Sequence, residues 1–317
     1  MRAVFLDYET VSNGDLDPSV LTRVLPGLQL HGSTDEAEIA GRIANAEFVL
    51  LNKFVLRRNH LLGARRLKLI ALAATGTDNV DLAAARDRAI GVCNVRGYCS
   101  QSVMQQVWAM ILSLTQHVHE YTRLAKDGSW VQSEVLTVLK LPIRELSGRT
   151  FGVVGWGELG RAAAHAAQAF GMRVIIANRP GGVPEPGRYD LDRLLAMSDV
   201  VSLHCPLTPA TRGMIGAREL ALMKPDALLI NTARGGLIDG HALSAALKAG
   251  CLGGAAIDVL PQEPPADGDP LLDPDIPNLL LTPHVAWAAR EARQRCLDEI
   301  AANVQDFLNG GRRGRVV

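Results

Sequence analysis

The sequence alternates between short apolar runs, each the length of a buried strand, and longer segments in which apolar residues recur every three or four positions. This alternation is typical of α/β proteins, because a parallel strand needs a crossover, usually a helix, to reach its neighbour. Ten runs are predicted as strands, at residues 3–6, 28–31, 48–51, 69–71, 91–93, 151–154, 173–177, 200–203, 227–230 and 254–257. The pattern therefore predicts an α/β fold built on parallel sheets.

Helices are predicted in the segments between and after these strands. One spans 81–89, with Asp81 placed to cap it and Gly91 just beyond its end. The apolar spacing also predicts one long helix over 102–126 and a final helix over 288–308. The basic tail from Arg312 to Arg315 is interpreted as a solvated terminus.

Length and composition limit the class of protein. A chain of 317 residues is long enough for two domains, and 48% hydrophobic against 21% charged residues indicates a globular protein. Lys plus Arg (33) equals Asp plus Glu (33), so no net charge favours nucleic acid or an anionic membrane. No segment approaches the roughly 20 apolar residues that span a bilayer. We therefore expect neither a nucleic-acid nor a membrane partner.

Cysteine usage and the first residues bear on location. The five cysteines are odd in number and nowhere spaced as C-x-x-C, which argues against a disulfide framework and a zinc knuckle. His117 and His119 lie two residues apart on one predicted helix and face different ways, so no metal site is expected. The N-terminal residues lack the apolar run of a signal peptide. These features predict a cytoplasmic protein.

The segment 150–161, TFGVVGWGELGR, joins an apolar strand to an Ala-rich helix through three glycines. In this order Gly155 permits a tight turn, Gly157 allows backbone to approach a pyrophosphate, and Gly160 allows the helix to pack on the strand. The N–H groups that begin the helix favour an anion. The segment predicts a dinucleotide-binding turn.

The choice between NAD and NADP depends on the end of the next strand. An acidic residue about twenty positions after the glycines would hold the ribose 2′-hydroxyl of NAD, but Asn178 and Arg179 stand there. Asn178 can bond a hydroxyl, and Arg179 can pair with a 2′-phosphate through its planar guanidinium. The sequence thus favours NADP, or use of both cofactors, and a solvated Arg179 is the alternative.

Three polar residues follow later strands: Arg234, Glu263 and His284. Each alone has an ordinary explanation as a surface cation, a loop residue or a packed histidine. Gathered at one sheet edge they could reduce a carbonyl, because His supplies a proton, a carboxylate stabilises the protonated ring and fixes its tautomer, and Arg polarises the carbonyl.

With these motifs, and with the Ala74 to Asp81 and Gly310 to Val317 segments, the whole chain resembles the D-2-hydroxyacid dehydrogenases, in particular their glycerate dehydrogenase/hydroxypyruvate reductase branch. The resemblance implies two Rossmann-like doubly wound domains with an active-site cleft between them. It places the nicotinamide dinucleotide domain at 99–285 and the substrate domain at 1–98 plus 286–317. It also implies a homodimer built around the helix that begins near Ser102.

The resemblance carries over residue by residue. Arg234 matches the substrate-binding arginine, His284 the proton donor and Glu263 its carboxylate partner. The residues expected at the cofactor, from the resemblance or from the glycine turn and strand end described above, are Gly155, Gly157, Glu158, Leu159, Gly160, Asn178, Arg179, Cys205, Pro206, Thr211, Thr232, Ala233, Asp258 and Ala286. Residues expected at the substrate are Asn52, Thr75, Gly76, Arg234 and His284. Asp258 is expected to hold the nicotinamide carboxamide, and Lys53 is equally consistent with solvent and with substrate contact.

The activity implied is NAD(P)-dependent reduction of hydroxypyruvate or glyoxylate to D-glycerate or glycolate, and the reverse. Glu263 argues against formate oxidation, whose enzymes pair the histidine with glutamine. A phosphoglycerate dehydrogenase is an alternative, although no segment follows Val317 to form the regulatory domain that many of them append. A nicotinamide-sensing transcriptional co-regulator is a second alternative, because the same fold serves that role.

Overall fold

The structure is a computed structural model that describes all residues from 1 to 317. The chain folds into two compact units: unit 1 comprises Met1–Cys99 and Trp287–Val317, and unit 2 comprises Ser100–Ala286. Each unit contains one sheet, and all paired strands in both sheets are parallel. The α/β class predicted from the alternation is confirmed. None of the helices combines the length and apolar character needed to cross a bilayer.

Eleven strands form the two sheets. They are β1 (Ala3–Phe5), β2 (Gln29–Leu30), β3 (Phe48–Leu51), β4 (Leu69–Leu72), β5 (Gly91–Cys93), β6 (Thr150–Val154), β7 (Arg173–Ile176), β8 (Val200–Leu203), β9 (Leu228–Asn231), β10 (Gly254–Ile257) and β11 (Leu279–Leu281). Each of the ten predicted strands is present, with both ends within one residue. The prediction missed β11, a three-residue strand at the edge of its sheet whose side chains are only half-buried.

Eleven α-helices connect or follow the strands. They are α1 (Ser19–Val24), α2 (Ile39–Ile43), α3 (Arg58–Gly63), α4 (Leu82–Asp87), α5 (Ser100–Gln116), α6 (Val118–Lys126), α7 (Glu158–Ala169), α8 (Leu191–Met197), α9 (Ala217–Leu222), α10 (Gly240–Lys248) and α11 (Arg290–Leu308). The Asp81 side chain caps α4 by accepting a hydrogen bond from the Ala84 N–H at 2.8 Å. This cap agrees with its prediction, although α4 is shorter than predicted.

The prediction of one continuous helix over 102–126 is wrong, because this segment forms two helices, α5 and α6. His117 adopts a left-handed φ of 50° and separates α5 from α6. The carbonyl of Thr115 accepts a hydrogen bond from the Arg144 N–H at 3.1 Å, and the Gln116 amide donates to the Arg144 carbonyl at 2.9 Å. A returning segment thus occupies a carbonyl that a continuous helix would bond to residue 119.

The basic tail is also not a free solvated terminus. The Gly314 carbonyl accepts from the Asn94 N–H at 3.0 Å, and the Val316 N–H donates to the Val92 carbonyl at 2.8 Å. The Arg315 guanidinium lies 5.6 Å from the centre of the Phe307 ring. The tail therefore covers the edge of β5, whose polar groups would otherwise remain unpaired.

Both sheets are doubly wound. Unit 1 has the order β2-β1-β3-β4-β5, and unit 2 has β7-β6-β8-β9-β10-β11. In each unit the chain reverses its direction across the sheet after the second strand, between β1 and β3 or between β6 and β8. Ligands of such sheets bind beyond the carboxyl ends of the strands at this switch point. We therefore expect ligand-binding sites at the loops after β1, β3, β6 and β8.

Apolar side chains cover both faces of the unit 1 sheet. One layer includes Cys296, Leu297 and Ile300 of α11, and the other includes Ile39, Leu61 and Ala85 of α2 to α4. In unit 2, Val154, Leu203 and Ile257 belong to a core that α8, α9 and α10 also line. The central strands of both sheets are therefore buried.

Candidate active site

The glycine turn of unit 2 follows β6 at the switch point. Gly155 has a φ of 102°, and a Cβ there would lie 2.6 Å from the carbonyl carbon of His204. A Cβ on Gly160 would collide with the carbonyl oxygen of Gly155, whereas a Cβ on Gly157 would meet nothing within 4 Å. Packing thus requires the first and third glycines, while the second faces open space. That open space, at the N-terminus of α7, suits a pyrophosphate.

Two polar atoms at the ends of the neighbouring strands β8 and β9 are shielded from solvent and have no partner. They are the hydroxyl of Thr232, after β9, and Nδ1 of His204, after β8. The other ring nitrogen of His204 lies 2.8 Å from the hydroxyl of Ser202. Burial lowers the pKa of His204 to about 4, so its ring is neutral at physiological pH. Unpaired polar atoms at adjacent strand ends, together with the glycine cradle, fit a polar ligand such as a dinucleotide.

Glu263 and His284 are in direct contact. Nδ1 of His284 lies 2.5 Å from Oε2 of Glu263, and Oε1 of the same carboxylate accepts from the Leu260 N–H at 2.9 Å. The side chains remain 28% and 34% exposed, so the pair can be reached from solvent. A partly exposed imidazole bonded to a carboxylate can hold a proton in a defined orientation and pass it on.

The loop that carries His284 is held by Asp258. This residue follows β10 and is fully buried. Its carboxylate accepts hydrogen bonds from the Thr282 hydroxyl at 2.5 Å, the Val285 N–H at 3.0 Å and the Ala286 N–H at 2.9 Å. In addition to its predicted role at the nicotinamide, Asp258 therefore shapes the backbone of the histidine loop.

Arg234 lies in a turn organised by Asn231. The buried Asn231 side chain accepts from the Ala233 N–H at 3.0 Å and donates to the Arg234 carbonyl at 2.9 Å. The guanidinium of Arg234 donates to the Ala233 carbonyl at 2.7 Å. A Cβ on Gly235 would collide with the backbone between Leu260 and Pro261. The arginine loop is therefore packed against the loop that leads to Glu263.

Several predicted cofactor residues make contacts that shape their own loops. The Thr211 hydroxyl donates to the Pro206 carbonyl at 2.7 Å, and Cys205 is buried, with its thiol pKa raised to about 11 by burial. Glu158, the first residue of α7, accepts a hydrogen bond from the Ser100 hydroxyl. The Ala286 carbonyl accepts from Ser102 at 2.7 Å. Exposed Pro206 and half-buried Leu159 remain on the surface of the turn.

Three of the five residues predicted to meet substrate, Asn52, Thr75 and Gly76, lie in unit 1, after β3 and β4. Asn52 is only 3% exposed, and its amide donates to the Thr10 hydroxyl at 3.0 Å. The Thr75 hydroxyl donates to the Val95 carbonyl at 2.9 Å. The backbone N–H groups of Thr75, Gly76 and Thr77 donate to no protein acceptor. Three consecutive backbone N–H groups without a protein acceptor are donors that a carboxylate could use.

Three residues that organise these loops were given no role at the level of sequence. Asp7 accepts from the N–H groups of Asn52, Lys53 and Phe54 at 2.8, 2.6 and 2.8 Å. Asn231 and Thr282 hold the arginine and histidine loops as described above. All three are polar residues at the carboxyl end of a strand, which is the signal that could have drawn attention to them.

Comparisons with known proteins agree with this geometry. Residues 108–286 match the family model of the D-isomer specific 2-hydroxyacid dehydrogenase NAD binding domain. The chain is 42% identical to a glycerate dehydrogenase of Methylorubrum extorquens, over 98% of this chain and 96% of that protein. It is 33% identical to a hydroxypyruvate reductase of Blautia hydrogenotrophica, over 98% of both. The crystal structure of the TT0316 protein from Thermus thermophilus is similar over the full length of both chains, with a TM-score of 0.87 and 34% identity.

The match covers the glycine turn, the arginine loop and the Glu263–His284 pair within one family domain. The near full-length identity extends the relationship to both units. The chain therefore belongs to the D-isomer-specific 2-hydroxyacid dehydrogenase family and is an oxidoreductase that acts on a CH–OH group.

Proposed function

We propose that the protein reduces a short 2-keto acid, hydroxypyruvate or glyoxylate, to D-glycerate or glycolate, and catalyses the reverse reaction. The observation that carries the proposal is the 2.5 Å contact between Nδ1 of His284 and Glu263, on a loop folded around Asp258. The names of the two similar enzymes, glycerate dehydrogenase and hydroxypyruvate reductase, favour this pair of substrates over larger keto acids.

In this proposal each catalytic side chain has one task. Glu263 orients His284 and stabilises its protonated form, so that Nε2 delivers a proton to the oxygen of the former carbonyl. Arg234 polarises that carbonyl and pairs with the substrate carboxylate through its planar guanidinium. When bound, the nicotinamide supplies the two electrons and the hydrogen that reach the keto carbon. In the direction of oxidation His284 accepts the proton.

In this proposal each unit binds one of the two ligands. We assign unit 2 to the nicotinamide dinucleotide, with Gly155 to Gly160 at the pyrophosphate and Thr232, Ala233, Asp258 and Ala286 near the nicotinamide. We assign unit 1 to the substrate, with the unpaired N–H groups of Thr75 and Gly76 as the carboxylate site. Asn52 then acts by holding its loop, since its amide is already bonded to Thr10.

For the cofactor we propose NADPH, or use of both NADPH and NADH. The Asn178 amide donates to Asp190 at 3.0 Å, and its oxygen accepts from the Glu185 N–H at 3.0 Å. Its side chain therefore shapes the loop after β7, and the exposed Arg179 beside it is the group suited to a 2′-phosphate. The Asp190 carboxylate is the one feature here that favours a ribose hydroxyl and hence NADH.

We also propose that two copies associate. Large apolar side chains are exposed along one segment of unit 2, after α6: Trp130, Val131, Val135, Leu136, Leu139 and Ile143. A concentration of this kind marks a surface that another protein covers. Light scattering should give a dimer for the natural chain and a monomer for Leu136→Glu. The cytoplasmic location expected from the sequence remains a prediction.

The test of the activity is the loss of reduced-nicotinamide absorbance, with NADH and NADPH each offered hydroxypyruvate, glyoxylate, pyruvate, phosphohydroxypyruvate and a bulky 2-keto acid. Turnover fastest on hydroxypyruvate or glyoxylate supports the proposal, and a higher kcat/KM with NADPH supports the role of Arg179. Preference for phosphohydroxypyruvate would indicate the phosphoglycerate dehydrogenase alternative. Tight cofactor binding without turnover of any acid would indicate the co-regulator.

A further inference from the structure

The loop after β11 is folded around one carboxylate. Between Leu281 and Trp287 every backbone N–H is accounted for: the Thr282 N–H bonds the Ile257 carbonyl at 2.9 Å, and the His284 N–H bonds the Asp258 carbonyl at 2.8 Å. Pro283 has no N–H. The Val285 and Ala286 N–H groups reach the Asp258 carboxylate. The Thr282 hydroxyl is therefore the only side-chain donor that Asp258 receives from this loop.

The Thr282 hydroxyl donates to a buried carboxylate that has few other hydrogen-bond donors. Asp258 is 0% exposed, and all partners of its carboxylate are neutral donors, namely one hydroxyl and two backbone N–H groups. A buried carboxylate is tolerated only when such donors replace its water. The Thr282 contact, at 2.5 Å, is the shortest of the three.

The conformation held in this way is unusual. His284 has a φ of 54°, a left-handed backbone that side-chain-bearing residues seldom adopt. Residues in such regions stay there only when their surroundings determine them. Thr282 on one side of His284 and Val285 on the other both bond Oδ1 of Asp258, so the two sides of the left-handed residue are held by the same oxygen.

We propose that Thr282 is a positioning residue for the dehydrogenase reaction. By donating to Asp258 it keeps His284 in the left-handed conformation in which the ring meets Glu263. The inference rests on the proposed function, in which His284 exchanges the proton. It goes beyond that function by assigning a task to a hydroxyl that touches neither the His284 ring nor Glu263.

The test compares Thr282→Val, which keeps the shape and removes the donor, with Thr282→Ser, which keeps the donor. Thr115→Val is the matched control, because its buried hydroxyl bonds only carbonyls of its own helix, Ile111 and Leu112. For each variant kcat and KM are measured with the best keto acid, and the Kd of NADPH or NADH by fluorescence. His284→Ala is measured alongside.

We expect Thr282→Val to lower kcat about 10- to 100-fold, since a catalytic group displaced by about 1 Å can cost that much. The KM and the cofactor Kd should change less than about threefold. Thr282→Ser should recover kcat to within about threefold of the natural enzyme, and Thr115→Val should match it. This split, together with the serine rescue, separates positioning from a general loss of structure.

The inference is overturned if Thr282→Val retains its kcat while His284→Ala is inactive, or if the serine variant is as slow as the valine variant. If His284→Ala itself turns over normally, the proposed function fails instead, whatever Thr282 does. Thermal unfolding of each variant checks the fold. Should Thr282→Val lack a folded transition, Thr282→Cys, with a weakly donating thiol of similar size, takes its place and is expected to fall between valine and serine.

Discussion

Asp7 in unit 1 and Asp258 in unit 2 each follow a strand and bind the loop that follows the neighbouring strand, but they hold those loops by different groups. Asp7 accepts three consecutive backbone N–H groups, from Asn52 to Phe54. Asp258 accepts two backbone N–H groups and the hydroxyl of Thr282. Both carboxylates are buried, at 5% and 0% exposure.

The difference teaches where side-chain identity matters. A loop held only through its backbone can change its side chains and keep its shape, which suits the unit that we propose to bind the substrate. A loop held partly through a side chain depends on that residue. The histidine loop, which carries the proposed proton donor, is of the second kind.

The largest effect should come from replacing His284, which lies on the loop that Asp258 binds. His284→Ala should lower kcat about 10²- to 10⁴-fold, the usual contribution of a general acid, and leave the cofactor Kd within about twofold. Steady-state kinetics and cofactor titration measure the two quantities. His241→Ala, at an exposed position of α10, is the control. A parallel loss of turnover and cofactor affinity would remove His284 from the role.

Replacing each buried aspartate by asparagine tests the comparison itself. In each case one acceptor oxygen becomes an N–H₂ group, and at least one donor loses its partner, at a cost of about 1–3 kcal/mol. Both variants should unfold several degrees lower in calorimetry. Asp258→Asn should also lower kcat about 100-fold, whereas Asp7→Asn should mainly raise the KM for the keto acid. Equal effects on kcat would mean that the two loops do not differ in function.

A smaller effect is expected from Glu263→Gln. Glutamine offers one acceptor oxygen in place of the two that Glu263 uses, for His284 and for the Leu260 N–H, and it lacks the negative charge that stabilises a protonated ring. We therefore expect kcat for reduction to fall about 10-fold with little change in cofactor Kd. Stopped-flow measurement of the first turnover separates this step from product release. An unchanged rate would show that the 2.5 Å contact is structural only.

The smallest effect concerns an aspartate near the surface. Asp15 receives two hydrogen bonds from Arg293 of α11, at 2.8 and 2.6 Å, and this partner lowers its pKa from 3.8 to about 2. A lowered carboxyl pKa contributes stability that is complete above about pH 4 and is lost as the pH falls towards 2. Asp15→Asn should flatten the fall in melting temperature between pH 4 and 2, and an identical acid profile would contradict the ion pair.

Much of the fold was accessible from local pattern. All ten predicted strands are present, because most of them are apolar runs that the sheets bury, and Asp81 was recognised as a cap from its place before a helical period. The missed strand β11 has three half-buried residues and takes its form from pairing with β10. The break at His117 depends on Arg144, 27 positions later in the chain.

The candidate site also has parts that the sequence predicted and parts that only the structure showed. The glycine spacing and the polar residues after β9, β10 and β11 pointed to the segments that carry Gly155, Arg234 and His284. The sequence did not show which residues shape those segments. Asn231 bonds the arginine loop and Thr282 bonds Asp258, and neither contact could be predicted from the sequence. A hydrogen bond between positions 24 apart leaves no periodic trace in the sequence.

By itself the sequence determined the α/β class, the positions of ten of the eleven strands, the glycine turn and the family, because each of these is encoded in residues close together in the chain. Only the tertiary structure decided which donors meet Asp7 and Asp258, that His284 is left-handed, and that the C-terminal tail closes the edge of β5. These features arise where buried polar groups from distant segments must satisfy one another, and that requirement appears only once the sheets have assembled.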